Sequence, residues 1–575
     1  MYLDWLKSLR NLNAAKRRTT RGFPGVVATL EERKLLTALP VGSETLVNST
    51  ITSSQRNAVV ASDWDGNYVV AWQSLGQDGS GYGIYAQRYN SAGVAQGSEF
   101  PVNTHTTGNQ IGPAISLDAD GDFVIAWSSA QDGSGYGIYA QRYDSSGVAQ
   151  GSEFPVNTHT TNNQLFSSVA LDKGGNFVIT WRSLGQDGDD SGIYAQRYNS
   201  SGVAQGTEFK VNTYTTDNQS SPVVSLDGFG NFVIAWHSED QDGGGYGIYA
   251  QRYNAAGVAQ GTEFRVNSTT TNDQRYPAIG LDQDGDFVIT WKSNLQDGSN
   301  AGIYAQRYNS SGVAQGTEFR VNSFTTNEQG FPKIGLDKDG DFVIAWESYG
   351  QDASQSGVYA KRFNAAGIAQ GDEFRVNTYI TSDQRLPSIG LDEDGSFVIA
   401  WESSGQDGSN FGIYSQRYKL NTAPVVAAGM FPRLPDWWRK SKTNPGDTVA
   451  NVIDSVSPTD LITDVDSGSL EGFAVIDATN SNGTWEYSLN DGISWNSLAD
   501  ASTTNARLLH EAAMLRFVPF KKKFRGDVMM TVVGWDRTGG DIGGTADVTT
   551  RGGETSFSLE TSQVTLTVLK KKPKF

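Results

Sequence analysis

Seven Gln-Asp pairs recur along the chain: Gln77-Asp78, Gln131-Asp132, Gln186-Asp187, Gln241-Asp242, Gln296-Asp297, Gln351-Asp352 and Gln406-Asp407. An amide beside a carboxylate offers donors and acceptors at fixed spacing, as a site for saccharide hydroxyls needs. An aromatic residue follows in several copies (Tyr82, Tyr136, Tyr246, Phe411) and could cover the apolar face of a sugar. The same loops are also explained as Asx turns, in which Asp accepts from nearby backbone N–H groups. A second set is acidic. The pattern DxDGD stands at Asp118-Asp120-Asp122, Asp282-Asp284-Asp286 and Asp337-Asp339-Asp341. Carboxylates at such short spacing suit a hard cation, so Ca2+ is the cofactor to consider, with no organic cofactor expected. The repeats provide their own comparison. Gly66, Gly121, Gly175, Gly230, Gly285, Gly340 and Gly395 persist, while the middle carboxylate becomes Gly174 or Phe229. What persists is what a tight turn needs.

The elements that must position these groups follow from the repeat itself. Trp72, Trp127, Trp181, Trp236, Trp291, Trp346 and Trp401 are 54 or 55 residues apart, each ending a run such as FVIAW. One unit, from 275, reads PAIGLD, then a DQDG turn, FVITWKS, a QDGSN loop, GIYAQRY, an NSSG turn and TEFRVN. Asn, Ser or Asp entering and Gly in the left-handed position is hairpin chemistry. Four antiparallel strands in such a unit predict a propeller blade. The Trp is expected as core between blades. The last strand is expected to turn Phe and Val inward and Glu, Arg and Asn outward. The repeating Arg (Arg88, Arg142, Arg197, Arg252, Arg307, Arg362, Arg417) is expected to pair with the Glu of the edge strand.

GIYxxR recurs six times and once as GVYAKR (357–362), but the last of the seven copies, GIYSQRY (412–418), lacks the GVAQGxEFxVN half. The Glu of that half also occurs seven times, as Glu44, Glu99, Glu153, Glu208, Glu263, Glu318 and Glu373, and its first copy, SETLVN (43–48), precedes any blade. The N-terminus is therefore predicted to supply the outer strand of the last blade. The fold expected is all-β: a seven-bladed β-propeller over 43–419, a linker over 420–446, a β-sandwich over 447–570 and a basic tail over 571–575. Residues 1–42 read as a basic leader, with eight Lys/Arg against three Asp/Glu.

Four resemblances add context. The repeats resemble the FVxxWxSxGQDGxGxGIYAQRF repeats of large secreted or surface bacterial proteins. LEERKLLTA (30–38) resembles the LEPR-XLL segment at the front of such proteins, with Glu32 in the Pro place. DVDSG (464–468), NGTWEYS (482–488), RFVP (516–519) and GWD (534–536), after NTAP (421–424), resemble a bacterial cadherin-like domain. That resemblance implies a β-sandwich and makes Asp464, Asp466 and Asp536 candidate Ca2+ ligands. Integrin-type FG-GAP loops are similar to the DxDGD turns but carry a further Asp where this chain has Phe-Val.

Composition bounds the function. The net charge of −18 disfavours nucleic acid as a partner, and there is no cysteine for a disulfide or thiol chemistry. No run of 18 apolar residues suggests a membrane span. The four His do not recur with the blades, and no GxSxG appears. SLNDGISW (488–495) resembles a sialidase Asp-box but occurs once and reads as a hairpin. The expectation is a non-enzymatic, extracellular or cell-surface adhesion protein that binds surface or matrix components, glycans or other surface proteins, with calcium involved. Its alternatives are a multivalent lectin with sites between blades and a structural spacer of a larger surface assembly.

Overall fold

The computed structural model describes residues 38–427, 429–438, 441, 443–456, 460–464, 470–552 and 555–570. The leader through 37, Asp466 and the basic tail lie outside them. The described chain is all-β, with one short helix, Val449–Asp454.

The repeats form seven four-stranded antiparallel sheets. Sheet 1 runs Gln55–Ser62, Tyr68–Leu75, Tyr82–Tyr89 and Phe100–Pro101, and sheets 2 to 6 repeat this order. Sheet 7 takes its inner three strands from Gln384–Leu391, Phe397–Ser404 and Phe411–Lys419, and its fourth from Leu39–Leu46. That fourth strand begins inside the expected leader, because Leu39–Val41 pairs with Arg417–Lys419 before a bulge and Thr45–Leu46 pairs with Tyr414–Ser415 after it. Each inner strand packs against the inner strand of the next sheet, and the first packs against the last, so the sheets close a ring around an axis. The inner strands start on the face of the Gln-Asp loops and end at the Asp-Gly turns on the opposite face.

The second strands are apolar on both sides because each is covered by a neighbouring sheet, and all seven Trp are fully buried. Trp72, for example, packs on Val398, Ala400 and Ile413 of sheet 7. Five of the seven outer strands are two residues long, and the Asn that follows each outer strand points inward rather than outward. Asn103 and its equivalents are almost fully buried. The Asn103 Oδ1 accepts from Ile84 N (2.6 Å) and its Nδ2 donates to the fully buried Gln110 (3.3 Å) of the next sheet. A buried amide must satisfy both ends, which outweighs its polarity.

In the C-terminal part, a six-stranded sheet carries Gly526–Trp535 and Gly472–Asp477 at its centre, with Phe557–Leu569 on the other side of Gly526–Trp535, and a four-stranded sheet is built on Gly483–Ser488 and Met514–Pro519. Both sheets contribute to one core that includes Phe473, Leu509, Val532, Trp485 and Phe517. Within 420–446, expected as a linker, Trp437–Trp438 pairs parallel to Val568–Leu569 as an edge strand.

Candidate functional site

The Gln-Asp loops are held by the framework. In all seven sheets the Gln amide donates to the recurrent Glu: Gln77 to Glu99 (2.7 Å), Gln131 to Glu153 (3.2 Å), Gln186 to Glu208 (2.7 Å), Gln241 to Glu263 (2.6 Å), Gln296 to Glu318 (2.7 Å), Gln351 to Glu373 (2.7 Å) and Gln406 to Glu44 (2.6 Å). The other Glu oxygen accepts a backbone N–H from the segment that enters the same sheet, such as Ser49 N to Glu99 (2.6 Å). Asp78, Asp132, Asp242, Asp297, Asp352 and Asp407 each accept from the N–H two residues on, as an Asx turn does. Asp187 instead takes a long bond from Asn212 (3.4 Å). The repeating Arg does not meet the Glu. It crosses to the next sheet and donates to turn carbonyls: Arg88 to Ser145 O and Ser146 O (both 2.5 Å), and likewise Arg142, Arg197, Arg252 and Arg307, with Arg417 reaching Ser91 of sheet 1. The guanidinium fork matches two adjacent carbonyls of a turn that a flat edge strand does not present.

On the opposite face the acidic turns are similarly committed. Asp118 Oδ1 accepts from Asp120 N (3.0 Å) and Asp122 N (2.9 Å). Asp282 does so from Asp284 N and Asp286 N (both 2.9 Å), and Asp337 from Asp339 N (3.0 Å) and Asp341 N (2.9 Å). Asp122, Asp286 and Asp341 each accept an N–H from the outer turn (2.8, 2.8 and 2.7 Å). These turns surround an axial cavity of about 150 Å³ lined by all seven sheets. Burial, which outweighs the stabilising backbone hydrogen bonds, pushes Asp118, Asp337 and Asp392 up to about 6. Among the described residues, no group of three or more His, Cys, Asp or Glu converges to hold a metal ion. Asp536 is buried and accepts from Asn421 (2.9 Å) and Thr538 N (2.8 Å), and Asp464 is half-buried beside Ile462–Thr463. Asn490 caps the SLNDGISW turn by accepting from Ser494 N (3.0 Å).

The positions that vary between repeats converge elsewhere. After each buried Gln, the inner strand carries a bulge whose second residue has positive φ: Asn57, Gly112, Phe166, Ser221, Tyr276, Phe331 and Leu386, at 51–62°. Glycine is the residue that takes this conformation cheaply, yet the position holds Phe, Tyr and Leu in four sheets. Such strain clusters where a side chain must be aimed. The residue after each Trp is equally variable (Gln73, Ser128, Arg182, His237, Lys292, Glu347, Glu402) and lies opposite the residue that follows the buried Gln. Across a seam, its side chain meets the bulge of the next sheet. Asn57 N donates to Glu402 (3.0 Å), Gly112 N to Gln73 (2.9 Å) and Tyr276 N to His237 Nδ1 (3.4 Å).

These residues form the axial mouth on the Gln-Asp face. From sheet 3 to sheet 6 the mouth is aromatic. Phe166 is 52 % exposed, Tyr276 and Phe331 touch at 4.9 Å between ring centroids, and His237 meets Tyr246 edge-on at 5.0 Å. Arg275 lies over Tyr246 at 3.7 Å and Arg182 over Phe166 at 4.8 Å. The Tyr246 hydroxyl donates to Glu239 (2.7 Å). Burial pushes His237 down to about 3, with Arg275 and Arg182 adding to the shift, so this imidazole is neutral. At the seam of sheets 7 and 1, Phe411 lies between Arg56 (4.1 Å) and Arg385 (4.6 Å). Only Tyr246 and Phe411 of this mouth stood among the sequence candidates. The detectable signal was variability at two fixed offsets, from the buried Gln and from the Trp, in an otherwise near-identical repeat.

No family model matches the sequence, and no curated protein matches it. Among solved structures, the chain is similar to a protein of unknown function from Dyadobacter fermentans (11% identity, 67% of this chain and 99% of that one, TM-score 0.40). It is also similar to an alpha-L-arabinanase from Penicillium chrysogenum complexed with arabinobiose (13%, 53% and 92%, 0.38) and to an ancestral GH74 enzyme (13%, 88% and 60%, 0.39). The chain spans 60 % of that last structure. At these TM-scores the likeness carries no inference about chemistry.

Proposed function

We propose that the protein is a non-enzymatic carbohydrate-binding protein, exported or surface-attached, with a seven-bladed propeller joined to a C-terminal β-sandwich, and that its principal glycan site is the axial mouth on the Gln-Asp face. The observation that carries this reading is the aromatic crescent of Phe166, Tyr246, Tyr276 and Phe331, set among Arg182, His237, Arg275 and Glu239. Aromatic faces beside a few directed polar groups suit a sugar, whose ring stacks while its hydroxyls hydrogen-bond. Strained backbone at Phe166, Tyr276 and Phe331 supports the same reading, since aiming these rings toward the mouth has a cost that packing alone would avoid. The recurrent Glu of the loops between sheets is engaged at both oxygens, which favours the mouth over seven equivalent loop sites.

A glycan array probed with the full chain, with Tyr276→Ala and with Phe331→Ala tests this. The expected result is a discrete set of glycans bound by the parent chain and lost in both variants, with the ring still folded by circular dichroism. A blank array would remove the glycan reading in favour of protein-directed adhesion or a spacer. Calcium at the DxDGD turns remains a separate proposal. It requires a rise in melting temperature on adding calcium to EDTA-treated protein, abolished by Asp337→Asn.

A further inference from the structure

The mouth sets cations among carboxylates, Glu239, Glu347 and Glu402 included. In a chain of net charge −18, it gathers Arg56, Arg182, Arg275, Lys292 and Arg385. Three of these have carboxylate partners: Arg275 with Asp273 (3.1 Å), Lys292 with Glu328, and Arg385 with Glu402 (2.8 Å). Arg182 and Arg56 do not. Among the described residues, neither guanidinium makes a hydrogen bond or an ion pair, although both side chains are half-buried. Asp190 acts on Arg182 only from beyond ion-pair distance, while burial lowers its pKa. Withdrawing a guanidinium from water without an acceptor is unfavourable. Stacking on Phe166 recovers part of that cost but leaves the donor edge open. A planar fork with free donors, on the rim of a site already lined by aromatic rings, matches a carboxylate or sulfate group.

We infer that the mouth selects anionic saccharides, the acidic group seated on Arg182 and the sugar ring lying against Phe166. This rests on the glycan-binding reading and narrows it to carboxylate- or sulfate-bearing chains. Arg275, already paired with Asp273, supports the field at the seat rather than forming it.

Isothermal titration of the full chain with an oligogalacturonate, the same oligomer with its carboxyls reduced to alcohols, and a sulfated oligosaccharide separates the outcomes. The reduced oligomer is expected to bind at least tenfold more weakly than the acid. Arg182→Gln is expected to lose about the same factor on the acid and little on the reduced form, and Arg182→Lys to recover part of it. Raising the salt should weaken only the acidic ligands. Preference between the carboxylated and sulfated chains identifies the source of the anion. Equal binding of acid and reduced oligomers, which needs no variant to fold, would overturn the inference while leaving the glycan reading standing. Binding of the acidic oligomer unaffected by an Arg182→Gln variant that is still folded would do the same. A blank against every saccharide would remove both.

Discussion

Replacing Glu44 by Ala tests how the ring is closed. Glu44 comes from the N-terminal strand and accepts Gln406 Nε2 at 2.6 Å and Thr378 N at 2.7 Å, bridging 362 and 334 residues of chain. Glu208 makes the same two contacts in sheet 3, with Gln186 (2.7 Å) and Thr158 N (2.5 Å), and there the outer strand is continuous in sequence with its own sheet. Hydrogen bonds to a charged acceptor contribute about 1.5–3 kcal/mol each, and the half-exposed site argues for the lower end, so either substitution should cost about 3 kcal/mol. With unfolding entropy of about 2.1 cal/mol/K per residue over a ring of roughly 380 residues, that corresponds to a drop in melting temperature of about 4 °C in both variants. The variants should differ in local opening. In Glu44→Ala the strand is released at one end and can peel from Phe411–Lys419, taking with it the bonds from Val47 N to Ile413 O (2.8 Å) and from Ile413 N to Asn48 (2.6 Å). Native-state hydrogen exchange should accelerate at Val47 and Ile413 by about two orders of magnitude, the equivalent of about 3 kcal/mol. Glu208→Ala should leave those amides protected. Equal acceleration in the two variants, or none in Glu44→Ala, would refute the idea that the N-terminal strand is the ring's latch.

Other consequences are equally direct. Gly121→Ala places a methyl 2.9 Å from Asp63 Oδ2 and 3.2 Å from Ser145 Cβ at φ +84°, whereas Gly97→Ala at φ +78° meets nothing within 4 Å. Denaturant melts should show Gly97→Ala losing about 1 kcal/mol for the left-handed backbone and Gly121→Ala clearly more. Trp236→Ala removes a fully buried side chain between sheets and should cost about 3–5 kcal/mol in the same assay. Asp118, Asp337 and Asp392 have folded values near 6 against 3.8, so burial disfavours their charged forms. The folded state then binds more protons than the unfolded chain between pH 3.8 and 6, so their contribution to stability falls as pH rises through that window and is worst above it. Melting temperature should therefore be higher near pH 5 than near pH 7.5, and Asp118→Asn should raise it at pH 7.5 and flatten the profile.

Much of the ring was legible in the sequence. The near-constant Trp spacing, the Asp-Gly and Ser-Gly turns and the doubly apolar FVIAW runs define four strands per unit, because turn chemistry and two-sided burial are local demands. Counting Glu44 with the six later copies located the partner of GIYSQRY by stoichiometry alone. The destinations of the polar side chains were not legible. Asn103 reads as an outward edge residue and Arg88 as a partner of Glu, yet one is buried between amides and the other reaches the next sheet's turn. A polar residue's type states what it must satisfy but not which chain segment arrives to satisfy it. The mouth shows this most clearly. Arg182 and Phe166 are 16 residues apart in sequence, and His237 and Tyr276 are 39 apart. Hairpin pairing inside one sheet joins the first pair, but only the packing of each inner-strand bulge against the neighbouring sheet joins the second pair and gathers all of these variable positions around one axis.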